Sequence, residues 1–161
     1  MLNLLFSPNG RISSSQMIMG GLILIAIGMI PAVLEYVLGP SSLLSILGLA
    51  TILLGVPWVF LWMKRYRDGG QSPVMCLVAV LVYAVVFLII AGVFVGGELF
   101  TMFSAGMEAG TDDPEAMEAA MEGSLDIKAV QLKSIISGAV ASLITLFGLN
   151  ALIKHKPETS S

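Results

Sequence analysis

Charged residues are scarce in this sequence, and their scarcity excludes most classes of protein. Of the 161 residues, 12% are charged and 57% are hydrophobic, whereas about a quarter of an ordinary soluble domain is charged. The 19 charges avoid four stretches, residues 12–34, 36–63, 69–97 and 134–153, which hold 23, 28, 29 and 20 residues. This pattern excludes a soluble globular domain, a disordered chain and a nucleic-acid-binding protein. It indicates a small polytopic membrane protein.

Residues that carry common enzyme chemistry are also few. Cys76 is the only cysteine and His155 the only histidine, which excludes an intramolecular disulfide and a cysteine cluster for zinc or iron–sulfur. The sequence has no phosphate-binding loop, no Ser–His pair and no metal motif of the His-Glu-x-x-His type. We therefore predict no enzyme activity, no cofactor and no metal site.

The four uncharged stretches predict an all-α bundle of four transmembrane helices in one domain. About 20 apolar residues cross the roughly 30 Å of hydrocarbon in a bilayer, and each stretch is long enough. The predicted parts, in chain order, are an interfacial segment 1–16, helix 17–38, helix 43–63, a basic loop 64–72, helix 73–97, an acidic loop 98–133, helix 134–153 and a tail 154–161. Ser13–Ser15 offer oxygens that cap the first helix, and Gly39-Pro40 ends it.

The distribution of lysine and arginine predicts the orientation. Six of the eight cations lie on the side of both termini and of the basic loop, and two lie in the acidic loop. Because cytoplasmic loops carry the excess of lysine and arginine, we predict that both termini are cytoplasmic. Trp58, Trp62 and Tyr66 recur every four residues beside the basic loop, which predicts an aromatic anchor at the cytoplasmic interface.

The acidic loop has an unusual composition. Eight acidic residues and two lysines lie in residues 98–133. Asp112-Asp113-Pro114-Glu115 is a helix-start pattern, and it predicts an amphipathic helix over about 113–123. A surface helix with solvated carboxylates and a site that binds a metal or a protein partner are both consistent with this pattern.

Small residues recur along the predicted helices. Gly92 and Gly96 form a GxxxG pattern, and Gly138 belongs to a row of small residues in the fourth helix. Helices in lipid associate by close backbone approach at such positions. We predict that these glycines pack helices inside the bundle, with homo-oligomerisation as the alternative.

Glu35 is the one ionisable residue bracketed by apolar helical sequence, so it is a speculative functional residue. It lies seven residues beyond Gly28 and near the end of its helix, where its carboxylate could instead reach the headgroups. Ser134, Ser137, Ser142, Thr145 and Asn150 give the fourth helix a polar row. Together, Glu35 and this row suggest a small oligomeric transporter or channel as an alternative function.

The basic loop holds Lys64, Arg65 and Arg67. Cations beside a transmembrane helix attract anionic lipid headgroups by about 1 kcal/mol each. We predict that these three residues contact anionic headgroups and fix the topology.

Two segments resemble a known family. Phe6-Ser7-Pro8-Asn9-Gly10-Arg11-Ile12-Ser13 precedes the first helix, and Lys64-Arg65-Tyr66-Arg67-Asp68-Gly69-Gly70-Gln71-Ser72 follows the second. Together they resemble the bacterial inner-membrane family called domain of unknown function 805, whose members have an F-S-x-x-G-R-I-S-like start and an R-R-L-H-D-x-G-x-S-like loop. The matched positions that we single out are Gly10, Arg11, Lys64, Arg65, Asp68, Gly70 and Ser72. Arg67 stands where the family often has histidine.

The resemblance implies a multi-pass protein of the bacterial inner membrane without an established activity. Both matched segments lie at the same interface, so we predict that they meet through an Arg11–Asp68 salt bridge. We expect a non-enzymatic interaction or accessory protein, whose partner is another membrane protein or a second copy of the chain.

Overall fold

The computed structural model describes residues 5–108 and 126–154. Within these ranges the chain is helical and has no strand. The helices are α1 (Ser14–Leu38), α2 (Ser42–Ala50), α3 (Gly55–Asp68), α4 (Cys76–Glu108) and α5 (Ile127–Leu152). One 3₁₀ turn, Thr51–Leu54, joins α2 to α3, and another, Pro73–Met75, leads into α4.

These helices form four segments long and apolar enough to cross a membrane. They are Ser14–Leu38, Ser42–Asp68, Pro73–Ala105 and Ile127–Leu152. The prediction of an all-α chain with four transmembrane helices is therefore confirmed. We call the end of the bundle with the Asp68–Pro73 connection the basic end, and the end with the α1–α2 connection the acidic end.

A serine cap sets the start of α1, and a glycine sets its end, as predicted. The Ser13 hydroxyl accepts a hydrogen bond from the backbone of Gln16, and the Gln16 side chain accepts one from the backbone of Ser13. This reciprocal pair is a capping box, which satisfies two backbone donors at the helix start. Gly39 ends the helix with a φ of +87°, a conformation that costs glycine little.

The 3₁₀ turn in the second span has a cause in the sequence. Pro57 follows it and has no N–H to donate to the carbonyl four residues back, at Leu53. The chain tightens there into a short 3₁₀ turn, as it often does where the α-helical ladder is interrupted. Pro57 is buried, as is Pro31 in the middle of α1.

Three predicted loop boundaries are corrected. Lys64–Asp68 are the last turns of α3, so the non-helical part of the predicted basic loop is 69–72. The third helix continues past Gly97 to Glu108, and the fourth begins at Ile127 instead of 134. Charge marks where the hydrocarbon ends, but it does not end a helix, because Glu and Lys are good helix formers.

Some predicted parts fall wholly or partly outside the described residues. They are the amphipathic helix at 113–123, most of the tail 154–161, and residues 1–4 of the interfacial segment.

The core lies toward the basic end, with α5 against α1 and α4. Leu61, Trp62, Leu146 and Met17 are fully buried there. Gly21 allows a close contact between α1 and α5, since an added Cβ would lie 2.6 Å from a Leu146 methyl group.

The predicted packing role of three glycines is not supported within the chain. A Cβ at Gly92, Gly96 or Gly138 would meet no atom of residues 5–108 and 126–154 within 4 Å. The GxxxG spacing alone does not show which face of a helix meets a neighbour, because the pattern is common in apolar helices. Close packing occurs instead at Gly21 and at Gly69.

Candidate functional site

A polar cluster lies at the basic end, and the buried Arg65 is its centre. We call Ser14, Arg65, Asp68 and Asn150 the basic-end cluster. Arg65 is 3% exposed. Its Nε donates to Asn150 Oδ1 at 2.6 Å, and its Nη1 donates to Asp68 Oδ2 at 2.5 Å. Its Nη2 donates to the backbone oxygens of Asn150 and Ile153.

Arg65 thereby caps the C-terminus of α5. The last carbonyls of a helix have no partner within the helix and carry partial negative charge. The planar guanidinium reaches two of them from the neighbouring α3 while it also binds a carboxylate, which a lysine ammonium could not do in the same fixed geometry. Three of its hydrogen bonds therefore hold α3 to the end of α5, and the fourth, to Asp68, lies within α3.

Asn150 extends the cluster to α1. Its Nδ2 donates to the Ser14 hydroxyl at 2.7 Å and to the Ser14 carbonyl at 3.3 Å. The Asn150 side chain thus accepts a hydrogen bond from α3 and donates hydrogen bonds to α1. Three of the four spans meet at this amide.

Gly69 allows the end of α5 to approach the end of α3, and Gly70 turns the chain that follows. A Cβ at Gly69 would lie 2.6 Å from Ile153 Cγ2 and 3.3 Å from the backbone oxygen of Lys154. Gly70 has a φ of +71°, which turns the chain toward Ser72 and the start of the third span. Gly70 is one of the positions that match the family resemblance. Glycine is favoured there because L-residues rarely adopt this conformation.

The N-terminal segment docks on the same end. Arg67 Nη1 donates to the Pro8 carbonyl at 2.5 Å, and Gly10 turns the segment with a φ of +96°. The two segments that carry the family resemblance are therefore in contact. The predicted Arg11–Asp68 pair stays a prediction, which a charge swap that restores the stability of both single variants would support.

Part of the predicted basic loop is buried in the protein. Lys64 and Arg65 are 2% and 3% exposed, and Arg67 is half-buried. Arg65 donates four hydrogen bonds inside the protein, and the contact of the three cations with anionic headgroups stays a prediction. A charge next to an apolar run does not reveal which neighbours the helix will have.

The aromatic prediction is corrected for the same reason. Trp62 is fully buried and Tyr66 is 4% exposed, with ring centroids 6.0 Å apart, and Trp58 meets Trp62 edge-on at 6.3 Å. Trp62 and Tyr66 therefore pack inside the bundle, and Trp58 is half-buried against Trp62. Edge-on and tilted ring pairs of this kind add to the packing of a core.

A second feature is an apolar groove of about 820 Å³ between the four spans. Its polar lining consists of Thr51, Tyr83, Ser134 and Ser142, and its other lining residues are apolar or glycine. No ionisable carboxylate, lysine, arginine or histidine is among the described residues that line it. Glu35 is half-buried on α1 and does not line this groove.

The polar row of the fourth helix is split between different surroundings. Ser134 and Ser142 line the groove, whereas Ser137, Thr145 and Asn150 are buried. The Ser137 hydroxyl donates to the Lys133 carbonyl of its own helix at 2.7 Å. The Thr145 hydroxyl has no hydrogen-bond partner among the described residues. The predicted row is thus not one continuous polar path.

An ion pair between α4 and α5 lies toward the acidic end. Lys133 Nζ donates to Glu98 Oε1, and the side chains are 39% and 25% exposed. Both residues fall in the predicted acidic loop, and the pair ties the two helices together beyond their apolar runs. No group of three or more potential metal ligands (His, Cys, Asp or Glu) comes together within 5–108 and 126–154.

Sequence reasoning missed the pairing of Asn150 with Arg65 and Ser14. The available signal was that Asn150 is the only carboxamide among the uncharged residues 134–153. A buried amide has to find partners, but the sequence does not say which helix supplies them.

Comparison with known proteins adds no relative. No protein-family model matches the chain, and neither a curated protein nor a solved structure shows significant similarity to it. The class of protein that the structure defines is a multi-pass helical membrane protein with four candidate spans.

Proposed function

We propose that this protein is a non-enzymatic interaction or accessory protein of the bacterial inner membrane. One observation carries the proposal: the polar side chains that a transport path would need are divided among separate sites. Asn150 is used in the basic-end cluster, Ser137 bonds its own helix, and Glu35 is not among the residues that line the groove.

The chemistry of the basic-end cluster also supports this proposal. Its charges pair with each other and with backbone carbonyls, and arginine does not lose its proton in proteins. The cluster can therefore fix the positions of three helices. It contains no nucleophile beside a general base, which the common catalytic arrangements require.

Water accessibility along the groove tests the proposal. Single cysteines replace Gly138 and Ser142 in a Cys76→Ala background, and a membrane-impermeant maleimide is applied to the protein in lipid discs. A cysteine at the exposed Lys128 serves as the labelled control, and one at the lipid-facing Leu88 as the unlabelled control. We expect the groove positions to stay unlabelled. Labelling at both positions at the rate of the Lys128 control would reject the interaction proposal.

A small oligomeric transporter or channel is the second candidate. The observation that favours it is the presence of four hydroxyl-bearing residues, Thr51, Tyr83, Ser134 and Ser142, on one groove. The same labelling experiment separates the two functions, because a path for ions or polar solutes has to be wet.

We also propose that both termini are cytoplasmic, so that the basic end faces the cytoplasm. The six-to-two distribution of lysine and arginine supports this orientation. Reporter fusions at residues 70, 115 and 161 test it: the fusions at 70 and 161 should report the cytoplasm, and the fusion at 115 the opposite side. Crosslinking in intact cells, followed by identification of what copurifies, then tests the partner.

A further inference from the structure

Three of the hydroxyl groups that line the apolar groove have no hydrogen-bond partner within the described part of the chain. They belong to Tyr83, Ser134 and Ser142. The fourth is different, because the Thr51 hydroxyl donates to the Gly48 carbonyl of its own span at 2.6 Å. Three donors on the groove lining are therefore available to a ligand.

Two of these hydroxyls lie deep in the apolar layer. The Glu98–Lys133 pair lies toward the edge of this layer, because charges are costly at its centre. Tyr83 is 15 residues from Glu98 along α4, and Ser142 is nine from Lys133 along α5. At a rise of 1.5 Å per residue these separations are about 22 Å and 14 Å, within a hydrocarbon layer of about 30 Å. A hydroxyl at this depth has no bulk water to bond, so it is costly without a partner.

The lining also indicates the charge of the ligand. Its described residues include no carboxylate, lysine, arginine or histidine. A charged ligand would therefore be buried without a counter-charge, which is strongly unfavourable. The groove suits an uncharged molecule whose oxygen atoms accept hydrogen bonds from hydroxyls, and carbonyl oxygens meet both requirements.

The size of the groove fits one small molecule. Its volume of about 820 Å³ lies within the range of about 300–1,000 Å³ that is usual for small-molecule pockets. A transmembrane helix about 10 Å wide and 30 Å long fills about 2,400 Å³, so a helix of another protein is too large for it.

The side chains of the lining favour a flat ring. Trp58 and Tyr83 contribute two aromatic rings to the groove, and aromatic rings pack well against one another. Gly55 and Gly138 leave space beside them, because a Cβ at either glycine would meet no atom of the described residues within 4 Å.

We propose that the groove binds a membrane-soluble quinone, which is a flat uncharged ring with carbonyl oxygens and an apolar tail. The hydroxyls of Tyr83 and Ser142 donate to the carbonyl oxygens, and the ring packs against Trp58. The tail lies along the apolar lining. The proposal concerns binding and includes no electron transfer, and it adds a small-molecule ligand to the interaction function proposed above.

Quenching of tryptophan fluorescence tests this proposal. The full chain is placed in discs of neutral phosphatidylcholine, and a decyl-substituted benzoquinone is added at increasing mole fractions. Trp58 and Trp62 are the only tryptophans, and a Trp58→Phe variant shows which part of the signal comes from the groove. We expect the quenching of Trp58 to saturate, as it does when a quencher occupies a site. Quinone that is only dissolved in the bilayer gives quenching that rises steadily with its mole fraction.

The variants either remove one donor or fill the groove. Tyr83→Phe and Ser142→Ala should each weaken binding about two- to tenfold, the usual effect of losing one hydrogen bond. Gly138→Leu should abolish saturable quenching, because the new side chain occupies the groove. Two matched controls should bind like the wild-type chain. Tyr36→Phe removes the hydroxyl of a half-buried tyrosine that does not line the groove, and Gly92→Leu adds the same bulk at an open glycine outside it.

Four outcomes would overturn this inference. Quenching that never saturates would show that bilayer lipid fills the groove, and wild-type binding in Gly138→Leu would place the quinone elsewhere. Unchanged binding in both Tyr83→Phe and Ser142→Ala would remove the proposed hydrogen bonds. Displacement of the quinone by an equal amount of decylbenzene, which has no ring oxygens, would reduce recognition to apolar contact. The maleimide test of the interaction function is run without quinone, so either proposal can fail while the other stands.

Discussion

Replacing Arg65 by methionine should destabilise the bundle more than any other single change of a cation in this chain. Methionine retains most of the apolar length of the arginine side chain and removes all of its donors. The change leaves the 4%-exposed Asp68 without the guanidinium beside it. It also leaves the backbone oxygens of Asn150 and Ile153 without the donor that caps them.

The expected magnitude follows from these lost partners. Breaking a buried ion pair by removing one partner costs about 3–5 kcal/mol, and each hydrogen bond between a charged donor and a neutral acceptor contributes about 1.5–3 kcal/mol. These contributions overlap, because one guanidinium makes all the bonds. We expect the free energy of unfolding to fall by about 3–5 kcal/mol.

Arg67→Met is the matched control, since it makes the same change two residues away. Arg67 is half-buried, and the hydrogen bond it makes to the Pro8 carbonyl leaves α5 untouched. Its replacement should cost about 1–2 kcal/mol. Unfolding in mixed micelles by increasing the fraction of denaturing detergent, followed by circular dichroism and by the fluorescence of Trp58 and Trp62, measures both variants.

Two results would refute the reasoning. If Arg65→Met loses no more stability than Arg67→Met, the cluster does not hold the helices together. If Asn150→Leu lowers the free energy of unfolding as much in the Arg65→Met background as in the wild-type chain, the two residues act independently. Coupled residues show a nonzero interaction energy in such a double-mutant cycle.

The remaining predictions concern two glycines and one ion pair. Gly21→Ala should lower the free energy of unfolding by about 1–3 kcal/mol, because the new methyl group overlaps the fully buried Leu146. Gly92→Ala, which meets no atom within 4 Å, should leave stability unchanged or raise it by up to about 1 kcal/mol; detergent unfolding measures both. In a double-mutant cycle, Glu98→Gln and Lys133→Met should show a coupling of about 0.2–1 kcal/mol that decreases with added salt, because both side chains are partly exposed. A coupling above this range that salt leaves unchanged would contradict the exposure of the pair.

The number of spans could be predicted from the sequence because it depends on a local quantity, the length of charge-free sequence. The same holds for the start of α1, where Ser13 and Gln16 lie close together in the chain and form the cap by themselves. Ser41 is a similar case, because its hydroxyl accepts from the backbone of Leu44 three residues later.

What could not be predicted is which side chains meet across the bundle. Arg65, Trp62 and Tyr66 lie at the end of an apolar run, where the sequence pattern is typical of a membrane interface. Their burial depends on α5 and the N-terminal segment coming to lie against α3, which a pattern within one helix does not contain. The end of α4 was missed because the composition changes at Glu98 while the helix continues.

The basic-end cluster also constrains the order in which the chain can be completed. The partners of Arg65 on α5 follow it by 85 and 88 residues. A chain that has been synthesised only through its third span therefore holds Arg65 with Asp68 but without Asn150 or Ile153. Until the fourth span is synthesised, three of the four hydrogen bonds that Arg65 donates have no acceptor, so this contact between α3 and α5 can form only late in synthesis.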